Sequence, residues 1–355
     1  MSTYDELRIL GAGAFGITHL IQSHKSKRFY ALKKIKASII TPQEIKGIKS
    51  EIEIMQKLSH PNIVQFFGCE QTPETVNIKM SYADGGDLAH YMLKNEFIEL
   101  KVRQLLVQLL LAIDYMHIKH VIHRDIKQQN ILISEGRYQI CDFGVSKTLL
   151  HSESAALTKC GTPYFFAPEL AQGKSYNIKA DIWSLGVLIY FIMEKTYPFT
   201  GKCVKDLVIN QKNNDVPEMQ GCYSQELKDV CMQMLEKDPK KRVSERQILL
   251  SGLFDNELGY LAKQYKKFGF EEAAIQVQNF IDKIDVKKIK IQLRGTDEDV
   301  LIRKQALIQQ ISEDTFNLLA YHLSLGKFLS ESPIDIESKM AFKGYVQFLL
   351  QRHAK

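Results

Sequence analysis

The 355-residue chain is 45% apolar and 25% charged and carries a net charge of +6, a balance that fits one large two-lobed globular domain plus a smaller one. Met1–Leu7 has neither a positive n-region nor an apolar core, and the most apolar run, Gly186–Met193, is far below the ~18 residues of a membrane span, so neither a signal peptide nor a membrane protein is expected. Six cysteines (Cys69, Cys141, Cys160, Cys203, Cys222, Cys231) form no C-x-x-C pair, which excludes a zinc site or disulfide framework and points to a reducing, cytoplasmic setting.

Short β-branched and aromatic runs predict extended segments over residues 3–34, around a glycine-rich turn. A helix is expected from Thr41-Pro42, a cap followed by a first-turn proline, to Leu58. Strand-like runs follow at Ile63–Gly68 and Val76–Ser81, and then Asp84-Gly85-Gly86-Asp87 breaks the pattern. From there helices dominate, beginning with Leu88–Leu93 and Lys101–Ile118, and Gly186–Met193 reads as part of a buried helix. The chain therefore passes from a small strand-rich half to a larger helical half, with the hinge near Ser81–Asp84. Beyond residue 254, glycines separate amphipathic stretches at Glu271–Ile284, Asp297–Ile311 and Ile336–Leu350. Fifteen Lys/Arg against fourteen Asp/Glu leave this last region nearly neutral, so no nucleic-acid partner is expected.

Gly11-Ala-Gly13-Ala-Phe-Gly16 has the G-x-G-x-x-G form, in which bare backbone can approach phosphate oxygens and aim N–H groups at them. Dinucleotide sites place this pattern at a strand-to-helix turn with an acidic residue about 20 positions on. Here a strand-like stretch follows instead, and no such acid is present. Seventeen residues after Gly16 comes Lys33, closing Tyr30-Ala31-Leu32-Lys33. His123-Arg124-Asp125-Ile126-Lys127-Gln128-Gln129-Asn130 then gathers a base, two cations and an amide within eight residues. Asp142-Phe143-Gly144 and Ala167-Pro168-Glu169 follow in order.

This set resembles the eukaryotic-type serine/threonine protein kinases over about residues 4–254. The resemblance implies an α+β, two-lobed protein-kinase fold with an N-lobe of about 1–81, a C-lobe of about 84–254 and a helical extension over 255–355. It implies ATP and Mg²⁺ as cofactors and protein substrates as partners. Asp125 would accept the acceptor hydroxyl's proton, and Lys127 would offset charge on the transferred group. Asn130 and Asp142 would bind Mg²⁺ through oxygen. Lys33 would hold ATP phosphates, fixed by an ion pair with Glu51. Gly11, Gly13 and Gly16 would cover the phosphates, while Leu10, Thr18, Ala31 and Leu132 would enclose the adenine. Met80 matches the gatekeeper, and Ser81, Tyr82 and Ala83 match the hinge.

Several further matches are structural. Glu169 and Arg242 match a buried ion pair that anchors the substrate-binding loop, and Asp181 matches an aspartate that orients the catalytic loop. Met55, Phe66, His123 and Phe143 match a stacked apolar spine. Lys127 and Gly161-Thr162-Pro163-Tyr164 match the serine/threonine pattern, with Thr162 expected to bond Asp125 and Lys127. Gly161–Glu169 and Tyr176–Gly186 are most similar to the NIMA-related kinases. Regulation is expected at Thr158, whose phosphate Arg124 would grip. Val145 implies threonine as the preferred acceptor. Thr18, Ser81, Gln129 and Phe191 depart from common residues, the last two arguing against a strict requirement for arginine before the phosphosite. A catalytically silent scaffold is the rival reading, and a docking role for 255–355 is the other alternative.

Overall fold

The apolar runs before residue 36 form three antiparallel strands, β1 (Tyr4–Gly13), β2 (Gly16–Ser23) and β3 (Phe29–Lys36). The computed structural model describes residues 3–13, 16–36, 42–72, 74–143, 163–171 and 177–293, with isolated positions between 305 and 346. Strands β4 (Phe66–Gln71) and β5 (Thr75–Ser81) complete a five-stranded sheet in the order β1-β2-β3-β5-β4. Residues directly opposite one another in a ladder project to the same face. The register pairs Thr18 with Lys33, Lys33 with Ile78, and Ala31 with Met80. Period-2 alternation therefore puts Thr18, Ala31, Lys33 and Met80 on one face of the sheet.

Helix α1 (Pro42–Lys57) presents Ile48, Glu51 and Met55, all buried, at i, i+3 and i+7. Its bounds fall within a residue or so of those expected. The second expected strand begins later than its apolar run. Ile63 and Val64 are buried in the approach to β4, where Ile63 bridges Ile140 and Val64 N–H donates to the Ile140 carbonyl. Core burial, and not sheet pairing with β5, explains why those residues are apolar.

Asp87 caps α2 (Leu88–Lys94) by accepting the His90 N–H at 2.9 Å. Helix α3 (Glu99–Ile118) is buried along most of its length. The hairpin of β6 (Ile131–Ser134) and β7 (Arg137–Ile140) follows the catalytic loop. After the short α4 (Pro168–Ala171) comes α5 (Lys179–Glu194), which contains the expected buried run. Only a glycine fits at 186, because a Cβ there would sit 2.9 Å from the Met234 side chain. Helices α6 (Val204–Asn213), α7 (Gln225–Met234) and α8 (Glu245–Leu249) complete this part.

The chain divides into two compact units, Met1–Leu249 and Leu250–Lys355. In the second, α9 (Asp255–Lys267) packs on α10 (Glu271–Leu293), which runs past the expected end at Ile284. The expected helices at Asp297–Ile311 and Ile336–Leu350 lie essentially outside the described residues. No helix among the described residues is long and apolar enough to cross a membrane.

Candidate active site

The turn between β1 and β2 pairs Gly11 with Thr18 and Gly13 with Gly16. An added Cβ on Gly16 would lie 2.0 Å from the Lys34 carbonyl oxygen, so the close approach of β3 demands glycine there. A Cβ on Gly11 would meet nothing within 4 Å, leaving open space for a ligand beside that backbone. Thr18 stands opposite Gly11, Leu10 lies at a register shift in the same strand pair, and Ala31 is buried on β3. At the end of β5, the Ser81 N–H donates to the Gln65 carbonyl at 2.8 Å, and the Ser81 hydroxyl accepts the Gln65 N–H at 3.1 Å. Serine at this position thus secures the strand leading to β4. The Tyr82 hydroxyl accepts from Arg8 at 3.2 Å, and Ala83 leads into the turn before α2.

Lys33 Nζ lies 2.7 Å from Asp142 Oδ1. Burial pulls the ammonium's pKa down, but the Asp142 and Glu51 carboxylates outweigh it and hold it above the ordinary value. The Lys33 charge in turn keeps the Asp142 carboxyl below the usual range. Glu51 is a departure from expectation, because the ion pair of Lys33 is with Asp142. Glu51 is buried, and its Oε2 has no hydrogen-bond partner. Desolvation pushes its carboxyl up to about 7, against the opposing pull of Lys33.

The catalytic loop is strung between two anchors. Asp181, fully buried near the start of α5, accepts the N–H groups of His123 and Arg124, each at 2.9 Å. It also meets His117 Nε2 at 3.1 Å, while His117 Nδ1 lies 3.3 Å from Glu245 on α8. At the other end, the Asp125 N–H donates to His123 Nδ1 at 3.2 Å. That leaves the proton on Nε2, which donates to the Cys141 carbonyl at 2.9 Å. The histidine ring thereby joins the loop to the Asp142 segment, and it meets Phe143 edge-on at 5.2 Å. Arg124 and Asp142 both adopt φ in the left-handed region, +73° and +61°. Such backbone is strained for non-glycine residues and persists only where the surroundings fix it.

Between the anchors, Lys127 Nζ contacts both Asp125 oxygens, at 2.9 and 2.7 Å. The Asn130 amide nitrogen donates to the Asp125 carbonyl at 2.8 Å and to its carboxylate at 2.7 Å. With the nitrogen so engaged, the amide oxygen is the atom left for a cation, and Asp142 supplies a carboxylate. One or two protein oxygens completed by phosphates is the usual binding of Mg²⁺, so this donor set fits that ion without a larger cage. Among the described residues no group of three or more His, Cys, Asp or Glu is placed to hold a metal. Cys141 is buried, and burial pushes its thiol well up, so it stands as a small core residue without a reactive thiolate.

Glu169 and Arg242 form a fully buried bidentate pair at 2.8 and 2.9 Å, with the guanidinium 5.0 Å from the Trp183 ring centroid. Thr158, Thr162 and Val145 lie outside the described residues. Residue types alone did not reveal the His117–Glu245 limb, whose only trace was a histidine ending an apolar helix.

Sequence comparison adds four findings. The protein kinase domain profile matches residues 4–254. The chain is 32% identical over 272 residues to the serine/threonine-protein kinase Nek1 of Mus musculus, covering 76% of this chain and 22% of that protein. Nek8 of Danio rerio is 36% identical over 254 residues (70% and 36%), and Nek5 of Homo sapiens 33% over 261 (72% and 37%). The chain thus spans well under half the length of these relatives, and the resemblance to the NIMA-related kinases is borne out.

Proposed function

This chain belongs to the protein kinase family, and from that premise we propose that it transfers the γ-phosphoryl group of ATP to serine and threonine hydroxyls of protein substrates. The observation that carries the proposal is the Asp125 carboxylate, held by Lys127 at 2.7 Å and by Asn130 at 2.7 Å within a loop hung from Asp181. A carboxylate so fixed can orient an acceptor hydroxyl and take its proton as the oxygen attacks. Lys127 contacts the aspartate carboxylate and places a positive charge where negative charge accumulates. Lys33 would bind phosphate oxygens, with Asp142 fixing its position. Asn130 and Asp142 are the residues that would hold Mg²⁺, which when bound supplies charge neutralisation for the phosphates. Leu10, Thr18, Ala31, Met80 and Leu132 would enclose the base, and the backbone at Ser81–Ala83 would hold its edge.

The proposal extends to regulation through phosphorylation of Thr158, to a cytoplasmic location, and to 255–355 as a docking or regulatory element. The scattered cysteines support the second point, and the lack of any matched catalytic residue in 255–355 supports the third. The core test is incubation of the full chain with Mg-ATP and serine/threonine peptide arrays, beside Asp125→Asn. Transfer by the parent and none by the variant is expected. Equal signals from both would overturn the assignment of Asp125, and no transfer from either would favour a scaffold.

A further inference from the structure

The catalytic loop has a third attachment, on the acceptor side. Gln128 stands one residue after Lys127 and is buried at 7% exposure. Its Nε2 donates to the Tyr197 hydroxyl at 3.1 Å, and its Oε1 is buried without a hydrogen-bond partner. Tyr197 lies in the loop after α5, where nothing in the local sequence marks it. Its ring is stacked on Tyr164 at 4.3 Å with planes 10° apart, and on Phe191 at 4.5 Å with planes 21° apart. Two near-parallel rings this close to one centroid must occupy its two faces, so Tyr197 is the middle of a three-ring stack. Phe165 meets its edge at 5.7 Å.

Plain core packing would explain a buried stack. Phe165 and Phe199 nearby are buried in that way, at 3% and 4%. Tyr164, Tyr197 and Phe191 are each only half-buried, so the stack is open to solvent beside the loop that carries Asp125. Tyr164 belongs to the segment running on to Glu169, which the buried pair with Arg242 fixes. One side chain thus touches both the catalytic loop and the segment leading out of the activation segment. We propose that Tyr197 is a positioning residue for the protein substrate: its hydroxyl fixes Gln128, its ring fixes Tyr164, and together they hold Asp125 and the acceptor-side surface in register. The inference deepens the phosphoryl-transfer reading and rests on it.

Its consequences are one-sided. Lys33 and the β5 segment, which serve the nucleotide, take no part in the stack. Disturbing Tyr197 therefore weakens use of the peptide and leaves use of ATP alone. Tyr197→Phe keeps the stack and removes the hydroxyl, leaving the buried Gln128 amide with no partner. Tyr197→Ala removes both. Full-chain variants would be compared in steady state with a serine/threonine peptide phosphorylated by the parent. In Tyr197→Phe, kcat/KM for peptide is expected to fall about three- to tenfold, with KM for ATP within about twofold. Tyr197→Ala should fall further. Gln128→Leu combined with Tyr197→Phe should be no worse than the weaker single variant, since the two changes remove one interaction. Unchanged peptide kinetics in a folded Tyr197→Phe, additive losses in the double variant, or equal loss on the ATP side would each overturn the proposal. A parent chain that phosphorylates no peptide at all would instead overturn the reading beneath it.

Discussion

At the scale of the residue, charge placement decides what the site can do. Lys33→Met should abolish phosphoryl transfer, by about a hundredfold or more, with little change in unfolding, because the lysine's partners are carboxylates and not core side chains. Activity above a few per cent of the parent, measured with Mg-ATP and peptide, would count against its phosphate role. His117 makes a prediction about pH. Burial alone would lower its pKa, but hydrogen bonds to Asp181 and Glu245 raise it from 6.5 to about 9. A group whose pKa is raised on folding stabilises fully below its unfolded value and loses that contribution as pH climbs through the folded one. Stability should therefore decline between pH 6.5 and about 9, and His117→Gln should flatten that slope while destabilising the fold by ~3–5 kcal/mol. Urea unfolding across the window checks it; a parallel slope in the variant would reassign the titration. The catalytic residues themselves were legible because Asp125, Lys127 and Asn130 sit within six positions, so the motif fixes their proximity. The Lys33–Asp142 pair was not, since 109 residues separate the two and only the folded chain decides which carboxylate wins.

At the scale of the element, two glycines show how backbone geometry enters. Gly16→Ala would drive a methyl into the Lys34 carbonyl, forcing β2 away from β3 over the nucleotide space. The expected outcome is a several-fold rise in KM for ATP with peptide KM unchanged, and an unchanged ATP KM would disprove the close approach. Gly269 closes α9 in a Schellman arrangement: its own N–H reaches the Lys266 carbonyl, the Phe270 N–H reaches Tyr265, and the two rings meet at 6.4 Å. Its φ of +76° is left-handed, so Gly269→Ala should cost ~1 kcal/mol, readable as a lower midpoint in denaturant unfolding. Most elements were legible because periodicity and punctuation agreed, as at Pro42 and across Asp84–Asp87. Two boundaries failed for physical reasons. Ile63 and Val64 carry strand-like side chains yet serve the core through Ile140. The run Val286–Ile291 is rich in β-branched residues but continues α10, since helix propensities differ by only about 0.7 kcal/mol per residue and are a weak guide to where a helix ends.

At the scale of the whole molecule, the family match ends at residue 254 and the first compact unit at Leu249, so every residue assigned to chemistry falls within the first part of the chain. The second unit has its own buried set, including Leu258, Leu261, Tyr265, Val277 and Phe280, spaced along α9 and α10 as two helices that cover each other. This region has its own buried set and none of the matched residues, and these are the observations behind the proposal of docking or regulation. The truncation that follows is a chain ending at Phe254. On a short peptide its kcat/KM should stay within about threefold of the full chain, because such a peptide needs only the groups around Asp125. On intact protein substrates the same truncation should lower kcat/KM, through KM, if 255–355 supplies a second attachment. Circular dichroism and a cooperative unfolding transition establish that the shortened chain is folded before the kinetics are read. A folded but wholly inactive truncation would mean that the second unit is required for the active conformation, and the division of labour drawn at residue 254 would fall.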